Sequence, residues 1–403
     1  MTSTNNFKNK NVLLFGLGLL GGGVATANWL LKQGAKLTIA DAKSEKELAS
    51  SLEKIKGIFE FKREPTLDGI DSVVLNPGVS FRHPLVLKAR EFGIAVVNEA
   101  TIFYNNWPGK IIGITGTRGK TTTAHWTAHL MGDKAVLCGN SPEHPFLNVL
   151  SGSTTKWAVT EVSSFHLELF DASVRPPDIA VVTNIYQDHL NRYDSMAEYA
   201  GIKKNLYRWQ KPGQIFITGK EEVSLDLKDF KKKWGTHNLQ NIRMAALAAH
   251  FAGISWGDIQ GRTATLPQIP YRQQIIFDNG RVKIINDTAA TSPDGGIAAL
   301  ERFGGPDTVL IAGGTDAQLK YSEWNKIVEN KILKKHRIFL SGSATKKMLP
   351  GNIYDILEEC VKAALALKPK LILFSPACKS FEKFTNEYDR GEQFNKLVKQ
   401  LVK

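Results

Sequence analysis

A chain of 403 residues, 42% apolar and 23% charged, has the composition of an ordinary globular protein and is too long for one core, so two or three domains are expected. No window of about 18 apolar residues exists, which excludes a helical membrane span, and three scattered cysteines fit a reducing cytoplasm rather than a disulfide framework. The net charge of +13 is spread over polar faces, with one short run at Lys231 to Lys233 and no aromatic-interleaved basic stripe, so anionic nucleotides suit this surface better than nucleic acid.

The opening MTSTNNFKNKNVLLFG enters a strand pattern directly, and no cleavable signal is expected. The apolar run NVLLF (11–15) feeds Gly16-Leu17-Gly18-Leu19-Leu20-Gly21, then a helix pattern, then strand KLTIA ending at Asp41. This is a G-x-G-x-x-G fingerprint with an acidic residue downstream, which by itself reads as dinucleotide binding; the same glycines serve any tight turn that holds a phosphate. Further strands are expected at 71–76 and 94–98, with the intervening helix entered through Asn76-Pro77-Gly78. A doubly wound sheet should therefore end near a turn-rich linker, Asn105-Asn106-Trp107-Pro108-Gly109.

The stretch IIGITGTRGKTTT (111–123) carries the most information. It reads as a buried strand, a glycine turn and the first turn of a helix. Backbone N–H groups of Gly116, Thr117, Arg118 and Gly119 would face phosphate oxygens, with the helix N-terminus adding positive potential. Lys120 would reach the β/γ-phosphates, and the Thr121 or Thr122 hydroxyl would bind Mg²⁺. The strict G-x-x-x-x-G-K-[ST] spacing is not met, because Ile114 stands where it places a glycine. Strand WAVTEVSS (157–164) puts Glu161 at the end of an apolar run, and DIAVVTNI (178–185) leads to Asp188-His189. Ligands of open α/β sheets bind at the carboxyl ends of strands, so Glu161 and His189 point to one crevice, where a carboxylate suits Mg²⁺. Helix capping by Glu161 or Asp188 is the alternative.

After the proline-bearing LPQIPYRQQ (266–274) the strand patterns RVKIIND, TVLIAGGTD, RIFLSG and KLILFSPA alternate with helical ones, giving another βαβ-type domain. The proline-bearing linkers are the expected hinges.

Together GITGTRGKTT, TEVSSFHLE, TNIYQDHLNRY, GTHNLQNIRMAALAA, YRQQ, NDTAAT and FSPACKSFEKFTNEYDRG resemble the Mur ligases of peptidoglycan synthesis, in order and over almost the whole chain, most nearly the glutamate-adding type. The resemblance implies an α/β protein of three domains: a Rossmann-like UDP-binding domain (1–107), a central P-loop ATPase-like domain (108–270) and a Rossmann-like C-terminal domain for the amino acid (271–403). It implies a cytoplasmic, monomeric enzyme that uses ATP and two Mg²⁺ ions to phosphorylate the carboxylate of UDP-N-acetylmuramoyl-L-alanine. The amine of an amino acid, D-glutamate, then captures the acyl phosphate. Such chemistry rests on metals, lysines and oriented N–H groups more than on a protein nucleophile.

Residue by residue, the resemblance gives Lys120, His189 and Lys203 catalytic roles. Thr121 and Glu161 would hold a first Mg²⁺ and His189 a second, bridged by a carbamoylated Lys203; the adjacent Lys204 leaves that register open. Asn238 and Asn241 would lie beside adenine, and Arg272 and Asp287 beside ATP phosphate and ribose. Gly18, Leu19, Asp41 and Asn76-Pro77-Gly78 would hold UDP, which removes the nicotinamide reading. Asn140 would face the muramoyl carboxylate, and Ser163, Thr291 and Ser380 would also contact substrates.

The chain departs from the family pattern at SPEHPFL after Asn140, at Ala289 and near Ala317, where the family carries lysines, and at Glu387, often an aromatic position. Losing two cations and gaining an anion weakens a site for a dicarboxylate. This leaves open another amino acid, such as L-glutamate, and a nucleotide-binding homologue without ligase activity. An NAD-dependent oxidoreductase would leave Lys120, Glu161 and His189 without a role.

Overall fold

A computed structural model describes residues 6–150, 156–189, 191–316 and 318–402; Leu190, within the TNIYQDHLNRY motif, and Ala317, named above, lie outside the described residues. The chain forms two compact units, Met1–Asp226 with Gln240–Leu266, and Leu227–Leu239 with Pro267–Lys403. Among the described residues there are three sheets, two in the first unit and one in the second.

The first sheet contains β1 (Asn11–Phe15), β2 (Lys36–Ala40), β3 (Phe59–Lys62), β4 (Ser72–Leu75) and β5 (Ala95–Val97), parallel throughout and ordered β3-β2-β1-β4-β5. Its helices are α1 (Gly22–Lys32), α2 (Glu45–Leu52), α3 (Pro84–Glu91) and α4 (Glu99–Asn106). Side chains facing opposite ways along β1 feed two cores, Val12 and Leu14 on one face, Leu13 and Phe15 on the other. Gly16 leaves β1 with φ +91°, and a Cβ there would lie 2.8 Å from both Asn76 Cβ and Val79 Cγ2, so only glycine fits.

Helix α3 starts at Pro84 behind a His83 cap rather than at Asn76-Pro77-Gly78; that segment is an Asx turn in which Asn76 Oδ1 accepts from Gly78 N–H at 2.9 Å. The expected 105–109 linker is also more ordered than its composition suggests. Asn105 and Asn106 end α4, and Trp107 is buried against Phe103.

The second sheet of this unit contains β6 (Ile111–Thr115), β7 (Ala135–Gly139), β8 (Trp157–Glu161), β9 (Ile179–Val182) and β10 (Ile215–Ile217), parallel and ordered β10-β9-β6-β8-β7. Its helices are α5 (Lys120–Met131), α6 (Phe146–Val149), α7 (Ser164–Leu167) and α8 (Met196–Lys204). Strand β6 is buried at every position, as its unbroken apolar run requires. After β10 come α9 (Phe230–Trp234), which belongs to the second unit, α10 (Asn238–Phe251) and α11 (Trp256–Thr263).

The second unit holds β11 (Gln274–Asp278), β12 (Lys283–Asn286), α12 (Pro293–Phe303), β13 (Thr308–Ala312), α13 (Ser322–Lys331), β14 (Arg337–Leu340), β15 (Asn352–Tyr354), α14 (Leu357–Ala366), β16 (Leu371–Phe374) and α15 (Glu387–Leu401). The order is β11-β12-β16-β13-β14-β15, with β11 antiparallel to β12 and the remaining pairs parallel. Trp324 and Phe339 fill one core of this sheet, Phe374 and Phe394 the other. The sequence reading did not anticipate β3, β7, β10, β11 or β15. All five are edge strands carrying partly exposed side chains, unlike the fully buried central strands β6 and β13.

Candidate active site

Strand β6 lies between β9 and β8, so its exit turn is flanked by whatever follows those two strands. Glu161 ends β8 in register with Ile114, and Asp188-His189 follow β9. The crevice expected from strand ends is therefore built around residues 116–121.

The turn is held from both sides. Thr117 N–H donates to Asn184 O at 2.9 Å and Arg118 N–H to Asn184 Oδ1 at 2.9 Å, so two of the four amides expected to face phosphate are already engaged by Asn184. Gly116 has φ +145°, and a Cβ there would fall 1.9 Å from Thr183 Oγ1. Gly119 caps α5 in the left-handed conformation, and a Cβ there would fall 2.2 Å from Asn241 Oδ1, which places Asn241 directly on the turn. Lys120 Nζ curls back to donate to the Gly116 and Thr117 carbonyls at 3.0 and 3.1 Å.

Lys203 is the buried member of its lysine pair, at 1% exposure, whereas Lys204 is exposed. Its Nζ donates to Gly116 O at 2.8 Å and sits 4.6 Å from the centre of the Tyr199 ring. Burial, reinforced by the Lys120 charge, pushes its pKa down to about 6, so the amine is mostly neutral at pH 7. His189, at φ +54°, packs against Phe165 with ring centroids 4.8 Å apart and against Tyr199 at 6.1 Å. Asp188 pairs with Arg118 at 2.7 Å rather than capping a helix. Burial works against its charge, but His189 and Arg118 outweigh that and hold the carboxyl below its usual range.

Glu161 is 5% exposed, and its Oε1 accepts a long 3.4 Å contact from Asn140 Nδ2. The backbones of the two residues are joined more firmly, Asn140 N–H to Glu161 O at 2.9 Å, because Gly139 lets β7 approach β8 where a Cβ would lie 2.2 Å from Glu161 O. Capping of α7 falls to Ser163, not Glu161. Among the described residues no three His, Cys, Asp or Glu side chains converge as a metal site. A buried carboxylate with spare acceptor capacity fits Mg²⁺, which keeps water and takes phosphate oxygens for its remaining positions.

At the first sheet, Asp41 Oδ2 accepts from Leu17 and Gly18 N–H at 2.9 and 3.0 Å. A carboxylate of the chain itself thus engages two backbone amides of the glycine turn.

In the second unit Asp287 is buried at the end of β12, accepting from Gln273 N–H at 3.0 Å and from the Ser375 hydroxyl at 2.7 Å. Burial raises its pKa to about 7 against the pull of those donors and of Arg272. Arg272 lies between Tyr271 and Gln273, both at positive φ. Asn238 Nδ2 donates to Trp234 O at 2.9 Å, next to a cavity of about 420 Å³ lined by Lys231, Lys232, His237 and Arg302. Burial and the Arg302 charge lower the His237 pKa to about 4, leaving its ring neutral.

Ser380 is 3% exposed, and its hydroxyl has no hydrogen-bond partner among the described residues. Thr291, near the start of α12, donates its N–H to Ala289 O at 2.9 Å. Sequence reasoning missed the side chains that organise these groups. Arg390, fully buried, donates to Thr288 O, Thr288 Oγ1, Lys379 O and Cys378 O at 2.8–3.2 Å. Tyr199 and Asn184 hold the turn, and neither carries a signal at sequence level beyond its place near quoted motifs.

A lysine- and threonine-bearing turn on a parallel sheet, with a carboxylate and a histidine at the flanking strand ends, defines the class: an α/β protein built for nucleotide phosphates. Residues 10–98 match the family model for the MurD-like N-terminal domain of Mur ligases, and residues 114–241 match the Mur ligase middle domain. A curated relative, the UDP-N-acetylmuramoylalanine–D-glutamate ligase of Roseiflexus sp. (strain RS-1), is 30% identical over 98% of this chain and 99% of its own. The protein of that name from Caldanaerobacter subterraneus subsp. tengcongensis is also 30% identical, again over 98% and 99%. Among solved structures, a UDP-N-acetylmuramate–alanine ligase from Thermotoga maritima superposes with a TM-score of 0.62 over 97% of this chain and 99% of its own, at 16% identity. The chain belongs to the Mur ligase family.

Proposed function

We propose that this protein is an ATP-dependent ligase that joins D-glutamate to UDP-N-acetylmuramoyl-L-alanine in peptidoglycan precursor synthesis. The observation that carries the reading is the meeting of Lys120 and Lys203 on one carbonyl, Gly116 O, inside a turn flanked by Glu161 and His189. The full-length relatives named for this activity support it, and a nicotinamide reading would leave Lys120, Glu161 and His189 without a role.

In this reading Lys120 and the 116–121 turn orient the triphosphate, with Asn241 and Asn238 toward adenine and Arg272 and Asp287 toward phosphate and ribose. Mg²⁺, when bound, neutralises charge developing on the transferred phosphoryl oxygens, and Thr121, Glu161 and His189 would hold two such ions. The neutral amine of Lys203 could add CO₂ and lose a proton, giving a carbamate anion that would help hold the ion assigned to His189. The substrate carboxylate attacks the γ-phosphorus, ADP departs, and the glutamate amine displaces phosphate from the acyl phosphate as it gives up a proton. Gly18, Leu19, Asp41 and Asn76-Pro77-Gly78 serve the UDP moiety, Asn140 and Ser163 the acyl chain, Thr291 and Ser380 the amino acid. The domain limits that go with these roles are 1–107, 108–270 and 271–403.

The test is ADP release with ATP, UDP-N-acetylmuramoyl-L-alanine and D-glutamate, omitting each in turn. Dependence on all three is expected, with Lys120→Ala lowering turnover by about 10²–10³-fold as a lost phosphate-binding cation should. Unchanged ADP formation in that variant would refute the assignment.

A further inference from the structure

Behind Ser163 lies a buried chain of polar groups that no sequence motif announced. Ser163 Oγ is 2.8 Å from His166 Nδ1, and His166 Nε2 is 3.0 Å from Glu99 Oε1. His166 is 1% exposed and Glu99 8%; Glu99 Oε2 also receives the Thr26 hydroxyl at 3.4 Å. The imidazole is wedged against Phe146, ring centroids 5.3 Å apart, and its own carbonyl accepts from Asn98 Nδ2 at 2.8 Å, so the ring has little freedom to turn.

Two partners fix the tautomer. The Glu99 carboxylate offers only lone pairs, so Nε2 must carry the proton. At the other edge the Ser163 backbone N–H points at Nδ1 from 3.4 Å, which requires a lone pair there. Nδ1 therefore accepts, and the Ser163 hydroxyl proton is committed inward to it. One lone pair of Ser163 Oγ takes the His166 N–H at 3.4 Å, and the other is left for a ligand. Ser163 can thus accept from a substrate but cannot donate to one, so it is unsuited to a carboxylate or phosphate oxygen. It follows Glu161 by two positions, at the strand end where the carboxylate to be activated would sit, and the nearest donor on an N-acylated alanine is the amide N–H one carbon from that carboxylate.

We infer that His166, held by Glu99, is a positioning residue that makes Ser163 a dedicated acceptor for the amide N–H of the acyl substrate; this rests on the reading above that Ser163 contacts that substrate. Loss of one such hydrogen bond, of about 1 kcal/mol, should raise KM for UDP-N-acetylmuramoyl-L-alanine by about 5–10-fold. His166→Phe should do this with kcat and the KM for ATP little changed. His166→Asn, whose amide oxygen stands where Nδ1 stands, should restore KM, and His166→Phe in a Ser163→Ala background should add nothing. An ester analogue lacking the amide N–H should lose affinity for the unmutated enzyme and be indifferent to Ser163→Ala. Nitrogen-15 NMR of the unmutated protein, which needs no variant to fold, should find the His166 proton on Nε2. A proton on Nδ1, failure of His166→Asn to restore KM, or additivity with Ser163→Ala overturns the inference while leaving the ligase intact. No KM change in Ser163→Ala removes the Ser163 contact itself, and the inference with it.

Discussion

Lys203 Nζ lies 2.8 Å from the carbonyl oxygen of Gly116, the same oxygen that Lys120 Nζ reaches at 3.0 Å. Two cationic side chains sharing one acceptor in a buried place is an unstable arrangement, and the Lys203 amine yields by losing its proton.

The cost of that arrangement can be measured. Because the Lys203 pKa falls from 10.5 to about 6 on folding, the folded chain binds fewer protons than the unfolded one across that interval, so this group makes stability rise with pH through it. Lys203→Met should therefore stabilise the protein at pH 7 by on the order of 1–3 kcal/mol, an advantage that shrinks toward pH 10. Thermal melts at the two pH values in CO₂-depleted buffer check the sign. The same variant should lose about 100-fold or more in turnover, as removal of a group that supports a metal site does. Equal stability at both pH values would contradict a neutral native amine.

Ser380 offers the opposite separation. A buried hydroxyl without a partner contributes desolvation cost and no compensating bond, so Ser380→Ala should leave stability unchanged or raise it by up to about 1 kcal/mol. If the hydroxyl serves the amino acid, KM for D-glutamate should rise by about 10-fold while KM for ATP stays put. A stability loss instead would mean that Ser380 is part of the fold.

How much of this was readable beforehand follows from the physics of each element. Central strands such as β6 and β13 are buried throughout and mostly apolar because both faces are covered, and the glycine turns after β1 and β6 carry residue types that few other geometries demand. Side-chain identity at strand ends therefore located Glu161, His189 and Asp287. What could not be read was which donor meets which acceptor. Nothing in EYAGIKKNLY tells that Lys203 turns inward and Lys204 outward, since both sit in the last turn of α8 and only packing against Tyr199 and the Gly116 carbonyl separates them. Arg390 escaped for the same reason. Its four acceptors come from two separate segments of the chain, at Thr288 and at Cys378-Lys379, and no spacing rule connects them.

Arg390 should be the most costly single side chain to remove from the second unit. Its guanidinium is fully buried, burial lowers its pKa, and its donors satisfy the carbonyls of Thr288, Cys378 and Lys379, which flank Thr291 and Ser380 in sequence. Arg390→Met orphans all of these and should cost on the order of 3–5 kcal/mol by denaturant midpoint. Arg390→Lys should recover only part, because an ammonium cannot reproduce the planar fork. A loss below about 1 kcal/mol in the methionine variant would show that water replaces the guanidinium easily.

Asp287 gives a pH signature of the opposite sign to that of Lys203. Burial lifts its pKa from 3.8 to about 7, so between those values the folded chain binds more protons than the unfolded one and stability falls as pH rises. The cost is complete above pH 7, where the native carboxyl must ionise in a buried place despite Ser375, Gln273 and Arg272. Asp287→Asn keeps the shape and removes the charge. It should be more stable than the parent at pH 8, by on the order of 2–4 kcal/mol, and no different near pH 4, where both side chains are neutral. Chemical denaturation at the two pH values reads this directly. If Asp287 accepts from the ribose hydroxyls, the same variant should bind ADP about 10-fold more weakly at pH 8, because the amide offers one acceptor where the carboxylate offers two. A variant that gains stability at pH 8 and keeps its ADP affinity would assign Asp287 to the fold alone. One that loses stability at pH 8 would mean that the Ser375 and Gln273 donors outweigh burial.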